Sequence, residues 1–377
     1  MPGFEVIDNL EKAAVAEVFD EGGVLFAHGF DSIRTRYHVR EFELECKKYF
    51  GAKYNFALSS GTASLKCALK AVGVKPGDEV ITQGFNFIAT FEAIIDCGAT
   101  PVVVGIDQDL HLSMESLDLL VTPKTKCIII VHMLGIPGPT RQLKEYCDNK
   151  KIALIEDACE AVGAKSGHDF VGTLGDIGVF SFDHGKNLTC GEGGMCLTSN
   201  HYFASYISSY SDHGHQNKEG IPRGNDLAVM PGFNYRMTEL QAAVGKVQLS
   251  KLSNILNMHK ERYCVLASAL SPKFRIRNTF DSLDTPSYDT FVITNLSHPQ
   301  ILSLLGVLKS LGLGTKNLPD AMRWHCSAYW NHMLDAEQII ASAHTLKSLE
   351  KALAIPILCA KPVELYVKLA EMIIQEV

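Results

Sequence analysis

A rhythm in the middle of the chain most constrains what it can fold into. From Asn55 to Phe182 short β-rich runs alternate with helical patterns. "NFALSS" precedes "TASLKCALKAVG", "DEVITQ" precedes "FIATFEAIIDCG", "TPVVVGID" precedes "SMESLDLL", "TKCIIIVHML" precedes "TRQLKEYCDN", and "IALIEDA" leads through a loop to "IGVFSF". This alternation predicts an α/β architecture, a mainly parallel sheet with helices on both faces. Glycine and proline in "VKPGDEV" and "CGATP" stop a helix and restart a strand. In such sheets ligands bind beyond the carboxyl ends of the strands. Three of those ends carry polar or glycine residues: "SSGT" at 59–62, "EDA" at 156–158 and "SFDHGK" at 181–186.

Beyond the sheet region, about Tyr235 to Ala269 reads as one long helical stretch. Leu270 to Val377 mixes short strands ("DTFVITN") with helices ("PQILSLLGVLKSLG", "PVELYVKLAEMIIQ"), as expected of a smaller α+β domain. The expected division is 1–260 for a large domain, with an N-terminal arm at 1–40, and 261–377 for a small one. A net charge of −7 gives no electrostatic reason to expect nucleic acid or an anionic membrane as a partner. No apolar run approaches the ~20 residues that span a bilayer. The eleven cysteines show no C-x-x-C spacing and "MPGFEVIDNLEKAA" has no signal-peptide pattern, so a reducing cytoplasm is expected. His213 and His215 form an H-x-H pair with no third ligand nearby, and no metal is expected.

The candidate site builds from three strand ends. "SSGTASL" opens a helix with hydroxyls and a glycine, which suits either a phosphate at the helix N-terminus or a plain N-cap. Asp157, at the end of a buried strand, needs a cationic or hydrogen-bonding partner; a pyridinium nitrogen would serve, and so would a helix-capping role. Lys186 follows the strand "IGVFSF" in a loop of small and polar residues that offers little apolar surface to cover its stem. An amine, a phosphate cradle and a buried aspartate in one α/β domain are what pyridoxal 5'-phosphate requires: a lysine to bind it covalently, an aspartate for its ring nitrogen, and a loop for its phosphate.

Seven motifs occur in order: "NFALSSGTASL", "PGDEVITQGFNFIATFEAI", "GATPVVVGID", "VHMLGIPG", "LIEDACEAVGA", "GTLGDIGVFSFDHGKNLTCGEGGM" and "MPGFNYRMTELQAAVGKVQL". Through them the chain resembles, from near Gly22 to its C-terminus, the DegT/DnrJ/EryC1/StrS sugar aminotransferases, pyridoxal-phosphate enzymes of fold type I. The resemblance implies a large domain with a mainly parallel seven-stranded sheet and a small C-terminal α+β domain. It implies that Lys186 holds the cofactor and shuttles the proton, that Asp157 pairs with the pyridine nitrogen, and that Phe87 covers one face of the ring. Gly61, Thr62 and Ser181 would hold the phosphate, and Asn234 would reach it from the neighbouring subunit of a homodimer. Two positions depart from the family pattern. Many members have glutamine where this chain has Glu160, a residue that usually contacts the cofactor's phenolic oxygen, so a carboxylate there would have to be protonated or displaced. Asn86 replaces a common threonine.

A branch of the family carries histidine in place of the lysine and dehydrates its substrate; "SFDHGK" keeps the lysine, so amino transfer is implied, with glutamate as donor. His184 reads as a loop histidine. The segment "AHGFDSIRTRYHVREFE" departs most from the relatives. Its Arg34 and Arg36 offer bidentate recognition of a carboxylate if the arm lines the site, and are solvated if it does not. An acidic acceptor follows from the first case, and the overall resemblance suggests the 8-aldehyde of the lipopolysaccharide sugar Kdo, aminated to 8-amino-Kdo. A nucleotide-linked keto-deoxy sugar is the alternative acceptor. "RWHCSAYW" supplies Trp324 and His325 as candidate sugar contacts, with core packing the competing reading, especially for Trp330. A non-catalytic, cofactor-binding regulator or scaffold on the same fold is the alternative of another class.

Overall fold

Uninterrupted apolar runs in the sequence become strands buried on both faces. A computed structural model describes residues 3–218 and 220–376. Its strands are β1 (Tyr54–Leu58), β2 (Glu79–Gln83), β3 (Thr100–Val104), β4 (Thr125–Val131), β5 (Ala153–Asp157), β6 (Lys165–Ser166), β7 (Asp169–Phe170), β8 (Ile177–Ser181), β9 (Gly194–Thr198), β10 (Arg275–Ile276), β11 (Thr290–Thr294) and β12 (Leu353–Pro356). The helices that matter here are α1 (Asn9–Asp20), α2 (His38–Phe50), α3 (Gly61–Ala71), α4 (Ile88–Asp96), α5 (Leu117–Leu120), α6 (Thr140–Lys150), α7 (His201–Tyr210) and α8 (Glu239–Leu270).

Seven strands form one sheet in the order β1-β9-β8-β5-β4-β2-β3. The pairs β2/β3, β2/β4, β4/β5 and β5/β8 are parallel, while β9 runs antiparallel to both its neighbours β1 and β8. Six strands therefore point one way and β9 opposes them, which puts the carboxyl ends of β1, β2, β4, β5 and β8 along a single edge. Helices cover both faces, so Ile128, Ile129, Leu154, Ile155, Val179 and Phe180 have no water on either side. Each such side chain contributes roughly 1.5–3 kcal/mol of burial, and their contiguity makes the strand-end edge a rigid platform.

The expected helix in "SMESLDLL" shrinks to the single turn α5. Upstream, the Asp107 carboxylate accepts the backbone N–H groups of Asp109 and His111, both at 2.9 Å, and Ile106 bridges Leu112. That local bonding holds the backbone in a turn where a helix would need it free. The long helix begins at Glu239 and not at Tyr235, because Thr238 and Gln241 form a capping box there. Residues 235–236 are extended instead, with Ser59 N–H donating to the Tyr235 carbonyl at 2.8 Å and Arg236 bridged to Leu58.

α8 spans 32 residues and runs unbroken through the expected boundary at 260. Its last turns join the small domain, where antiparallel strands β10-β11-β12 form a three-stranded sheet. Leu266, Leu270, Phe291, Ile293, Ile355 and Tyr366 are among the residues of a separate core there. The small domain returns to the sheet edge through residues 314–330, where Phe85 bridges Cys326 and Ser327 N–H donates to the Gly84 carbonyl at 3.0 Å.

Candidate active site

Five strand ends and one small-domain segment converge on a cavity of about 340 Å³, within the usual range for small-molecule sites. After β1, Ser60 caps α3 by accepting from Ala63 N–H at 3.1 Å. Gly61 and Thr62, the next two residues, line the cavity with the N-terminus of an eleven-residue helix. A Cβ on Gly61 would sit 2.9 Å from Ser181 Cβ and 3.1 Å from Cys159 Sγ, so only glycine lets the helix end, β5 and β8 close into one cradle. Oriented N–H groups and hydroxyls at a positive helix end suit a phosphate.

Asp157 ends β5 and is 4% exposed. Its Oδ1 accepts from Cys159 N–H at 3.1 Å and its Oδ2 from the Thr90 hydroxyl at 2.9 Å. Two donors hold the carboxylate toward the cavity. Phe87, the residue just before α4, lines the same space and stays 44% exposed, an apolar face available to a planar ring. Thr90 lies one helical turn further on, so α4 positions both the ring cover and the aspartate's second donor.

Lys186 follows β8, and its Nζ lies 4.0 Å from Glu160 Oε1. Burial pulls the ammonium down, but the negative charges of Glu160, Asp183 and Asp157 outweigh it and hold the amine above the ordinary lysine range. Glu160 responds in the opposite sense. Burial would raise its pKa, yet Lys186, Lys316 and His325, with the Leu134 N–H, bring it down to about 2. The carboxylate accepts from Leu134 N–H at 2.9 Å and from Asn317 Nδ2 at 3.2 and 3.3 Å. Those donors hold the carboxylate in place, and the cations around it favour its charged form.

His325 lines the cavity, its ring 5.5 Å from that of Phe87. Its Nδ1 bonds the Ala321 carbonyl at 2.9 Å, and burial, partly offset by Glu160, keeps the ring below the ordinary histidine range. Trp324 is 58% exposed and does not line the cavity, while Trp330 is buried in the core. Ser181 lines the cradle and accepts from Asp183 N–H at 3.3 Å. Glu156, singled out with Asp157, faces the other way: it accepts from Gly172 and Leu174 N–H at 2.9 and 2.7 Å and lies 3.3 Å from His132, which makes it a support for a neighbouring turn.

The remaining candidates stand outside this cavity. Asn234 is exposed on the segment 212–236, whose base is Asp212. Burial works against that carboxylate's charge, but ion pairs with Arg223 and Arg236 hold it well below the usual range. Arg34 is 7% exposed, 3.6 Å from Glu239. Arg36 binds Glu17 and Glu21 at 3.0 Å and Glu41 at 2.7 Å. The Arg36 guanidinium is taken up by these glutamates, whereas Arg34 donates its Nε to the Gly29 carbonyl at 3.0 Å and keeps two buried terminal nitrogens without a hydrogen-bond partner.

Thr90, Asp183, Glu192 and Asn317 also line the cavity, and none was singled out from the sequence. Thr90 and Asn317 carried no motif signal; Asp183 sits within the Lys186 motif. Among the described residues at the cavity, Lys186 is the one lysine or arginine, against Asp157, Glu160, Asp183 and Glu192.

Residues 25–356 match the profile of the DegT/DnrJ/EryC1/StrS aminotransferase family. A GDP-perosamine synthase of Vibrio cholerae is 32% identical over 260 residues, 68% of this chain and 66% of that protein. Another, of Caulobacter vibrioides, is 38% identical over 219 residues, 58% of each. The matched segments thus span less than two thirds of these curated relatives. The pyridoxal-phosphate form of a putative sugar aminotransferase, Spr1654 from Streptococcus pneumoniae, overlays with a TM-score of 0.80 at 22% identity, covering 97% of both chains. That likeness shows the fold, fold type I, and the Gly61 cradle, Asp157 and Lys186 fit the group that structure holds.

Proposed function

The chain belongs to the DegT/DnrJ/EryC1/StrS aminotransferase family, and on that premise we propose that it moves an amino group from glutamate to a keto sugar carried on a nucleoside diphosphate. The observation that carries the reading is the convergence of Lys186, Asp157 and the Gly61–Thr62 helix end on one cavity. A scaffold without activity would have no need to keep a reactive amine there.

Pyridoxal phosphate, once bound, supplies a ring that accepts electrons from the carbon being deprotonated. The N-terminus of α3 with Ser181 holds its phosphate, and Asp157, braced by Thr90 and Cys159, keeps a proton on its ring nitrogen. Phe87 covers one face and excludes water from it. Lys186 is the residue that would hold the cofactor covalently, its Nζ replacing the carbonyl oxygen, which leaves as water, and as a free amine its Nζ would move the proton at the donor's α-carbon. Glu160, an acceptor ion 4.0 Å from Nζ, keeps the free lysine beside the reacting atoms.

With one cation at a cavity that must take a phosphate and an anionic acceptor, further positive or donor groups have to come from outside it. This supports a homodimer in which Asn234, exposed and away from its own cavity, reaches the phosphate in the second copy. Of the two expected acceptors, the nucleotide-linked one has more support. Both relatives are named GDP-perosamine synthases, and Arg34 and Arg36, which carried the acidic-sugar reading, do not line the cavity, Arg34 being buried beside Glu239 and Arg36 bound by glutamates. Among the described residues no helix is long and apolar enough to cross a membrane, and the free cysteines suit work in a reducing cytoplasm. The test is an activity panel with glutamate as donor against GDP-linked and other nucleotide-linked keto sugars and the Kdo 8-aldehyde. Turnover of a nucleotide-linked sugar is expected; turnover of the Kdo derivative alone overturns the acceptor assignment.

A further inference from the structure

Residues 3–6 cross three separate parts of the chain. Gly3 N–H donates to the Lys186 carbonyl at 3.1 Å, and the Phe4 ring stacks on His184 with centroids 4.5 Å apart and planes 18° from parallel. Glu5 Oε2 accepts from Ala360 N–H of the small domain at 3.2 Å, and the Val6 carbonyl accepts from Lys251 Nζ of α8 at 2.9 Å. The segment then enters α1, anchored by the buried Glu11, which bonds Gln248 and Lys251, each at 2.8 Å.

Contact with the lysine loop is close enough to dictate a residue type. A Cβ on Gly3 would lie 2.5 Å from the Lys186 carbonyl oxygen and 3.1 Å from that of Asn187. The backbone φ of Gly3, −58°, is open to any residue, so the demand for glycine is steric. Within the loop the hydrogen bonds are local: Lys186 N–H to the Asp183 carbonyl at 3.0 Å and Gly185 N–H to Asp183 Oδ1 at 2.9 Å. Asn187 next to the lysine is buried with neither side-chain amide atom bonded. A loop held by its own short turn gains position from whatever grips it outside.

We propose that Gly3–Val6 is a strap that positions Lys186. It fixes the backbone from which the lysine side chain starts and ties that point to the small domain through Glu5, so that Nζ returns to one place after each displacement. The proposal rests on Lys186 being the lysine that reacts with the cofactor.

The experiment compares Phe4→Ala, His184→Ala and their double variant with the parent by hydrogen exchange of the backbone amides at 184–187, with and without added pyridoxal phosphate. Losing the grip is expected to speed exchange there roughly 5-fold in each variant, the effect of a contact of typical net strength, with the double variant no faster than the singles because both remove the same stack. In the loaded enzyme kcat is expected to fall about 3- to 10-fold, as misplacement of a reacting group does, with KM unchanged. Phe4→Tyr, which keeps the stack, should restore both. Gly3→Val, which forces the strap off the carbonyl, should reproduce the fast exchange. Parent-like exchange and kcat in Phe4→Ala and Gly3→Val overturn the proposal, as do effects of Phe4→Ala and His184→Ala that simply add. Borohydride reduction and peptide mapping report separately on the lysine: a label elsewhere removes the assignment of Lys186, while the exchange rates still report on the strap.

Discussion

Thr90→Val isolates the contribution of one hydroxyl to the site. Thr90 is fully buried, and its Oγ1 donates at 2.9 Å to Oδ2 of Asp157, whose other oxygen keeps the Cys159 N–H. Valine has nearly the same shape, so the packing of α4 survives while a hydrogen bond to a buried carboxylate is lost. Such a bond contributes about 1.5–3 kcal/mol, and Oδ2 is left without a donor. The unloaded protein should therefore lose about that much stability, read as the shift in urea midpoint at unchanged slope. The carboxylate is also freed to turn away from the cofactor's ring nitrogen. Pyridoxal-phosphate affinity, measured by titrating the unloaded variant, should weaken roughly 5- to 20-fold, or about 1–2 kcal/mol. Thr90→Ser is the control, because it gives up a buried methyl at about 1 kcal/mol but keeps the hydroxyl. Its cofactor affinity should stay near that of the parent. Equal affinities in parent, valine and serine proteins would refute the claim that Thr90 braces Asp157, and so would equal weakening in both variants.

Lys186→Ala should purify folded and lose transamination by several orders of magnitude, since both the covalent link and the proton carrier disappear; borohydride reduction of the parent followed by peptide mapping should place the label on Lys186. Glu160→Gln should destabilise the unloaded protein by roughly 2–4 kcal/mol at neutral pH, the order implied by a carboxyl lowered from 4.5 to about 2. Because the folded pKa is depressed, that contribution is present above about 4.5 and fades as pH falls toward 2, so urea midpoints of parent and variant should converge across that window. Convergence at higher pH instead would contradict the ionised, braced carboxylate. Mixing Lys186→Ala with Asn234→Ala subunits should restore about one working site per heterodimer, since each copy then supplies what the other lacks; recovery of no activity would place both residues at the same subunit's site.

Much of this protein was legible from residue order alone. The alternation from Asn55 to Phe182 determined a mainly parallel sheet, since strand and helix periods and their glycine and proline stops are local properties of the chain. Gly61, Asp157 and Lys186 could be picked out for a related reason: each sits where a strand ends, and parallel strands bring their ends to one edge whatever their order in the sheet. Which side chains meet there was decided only in three dimensions. Thr90 meets Asp157 across 67 residues and Asn317 meets Glu160 across 157, contacts that depend on how α4 packs and on where the small domain returns to the sheet edge. The arm shows the same limit. "SIRTRYHVREFE" displays three arginines, but only packing against α1 and the start of α8 brings Glu17 and Glu21 to Arg36 and Glu239 beside Arg34. A sequence sets the charges a segment carries, whereas the partners of those charges depend on distant segments whose approach is fixed by the burial of the core between them.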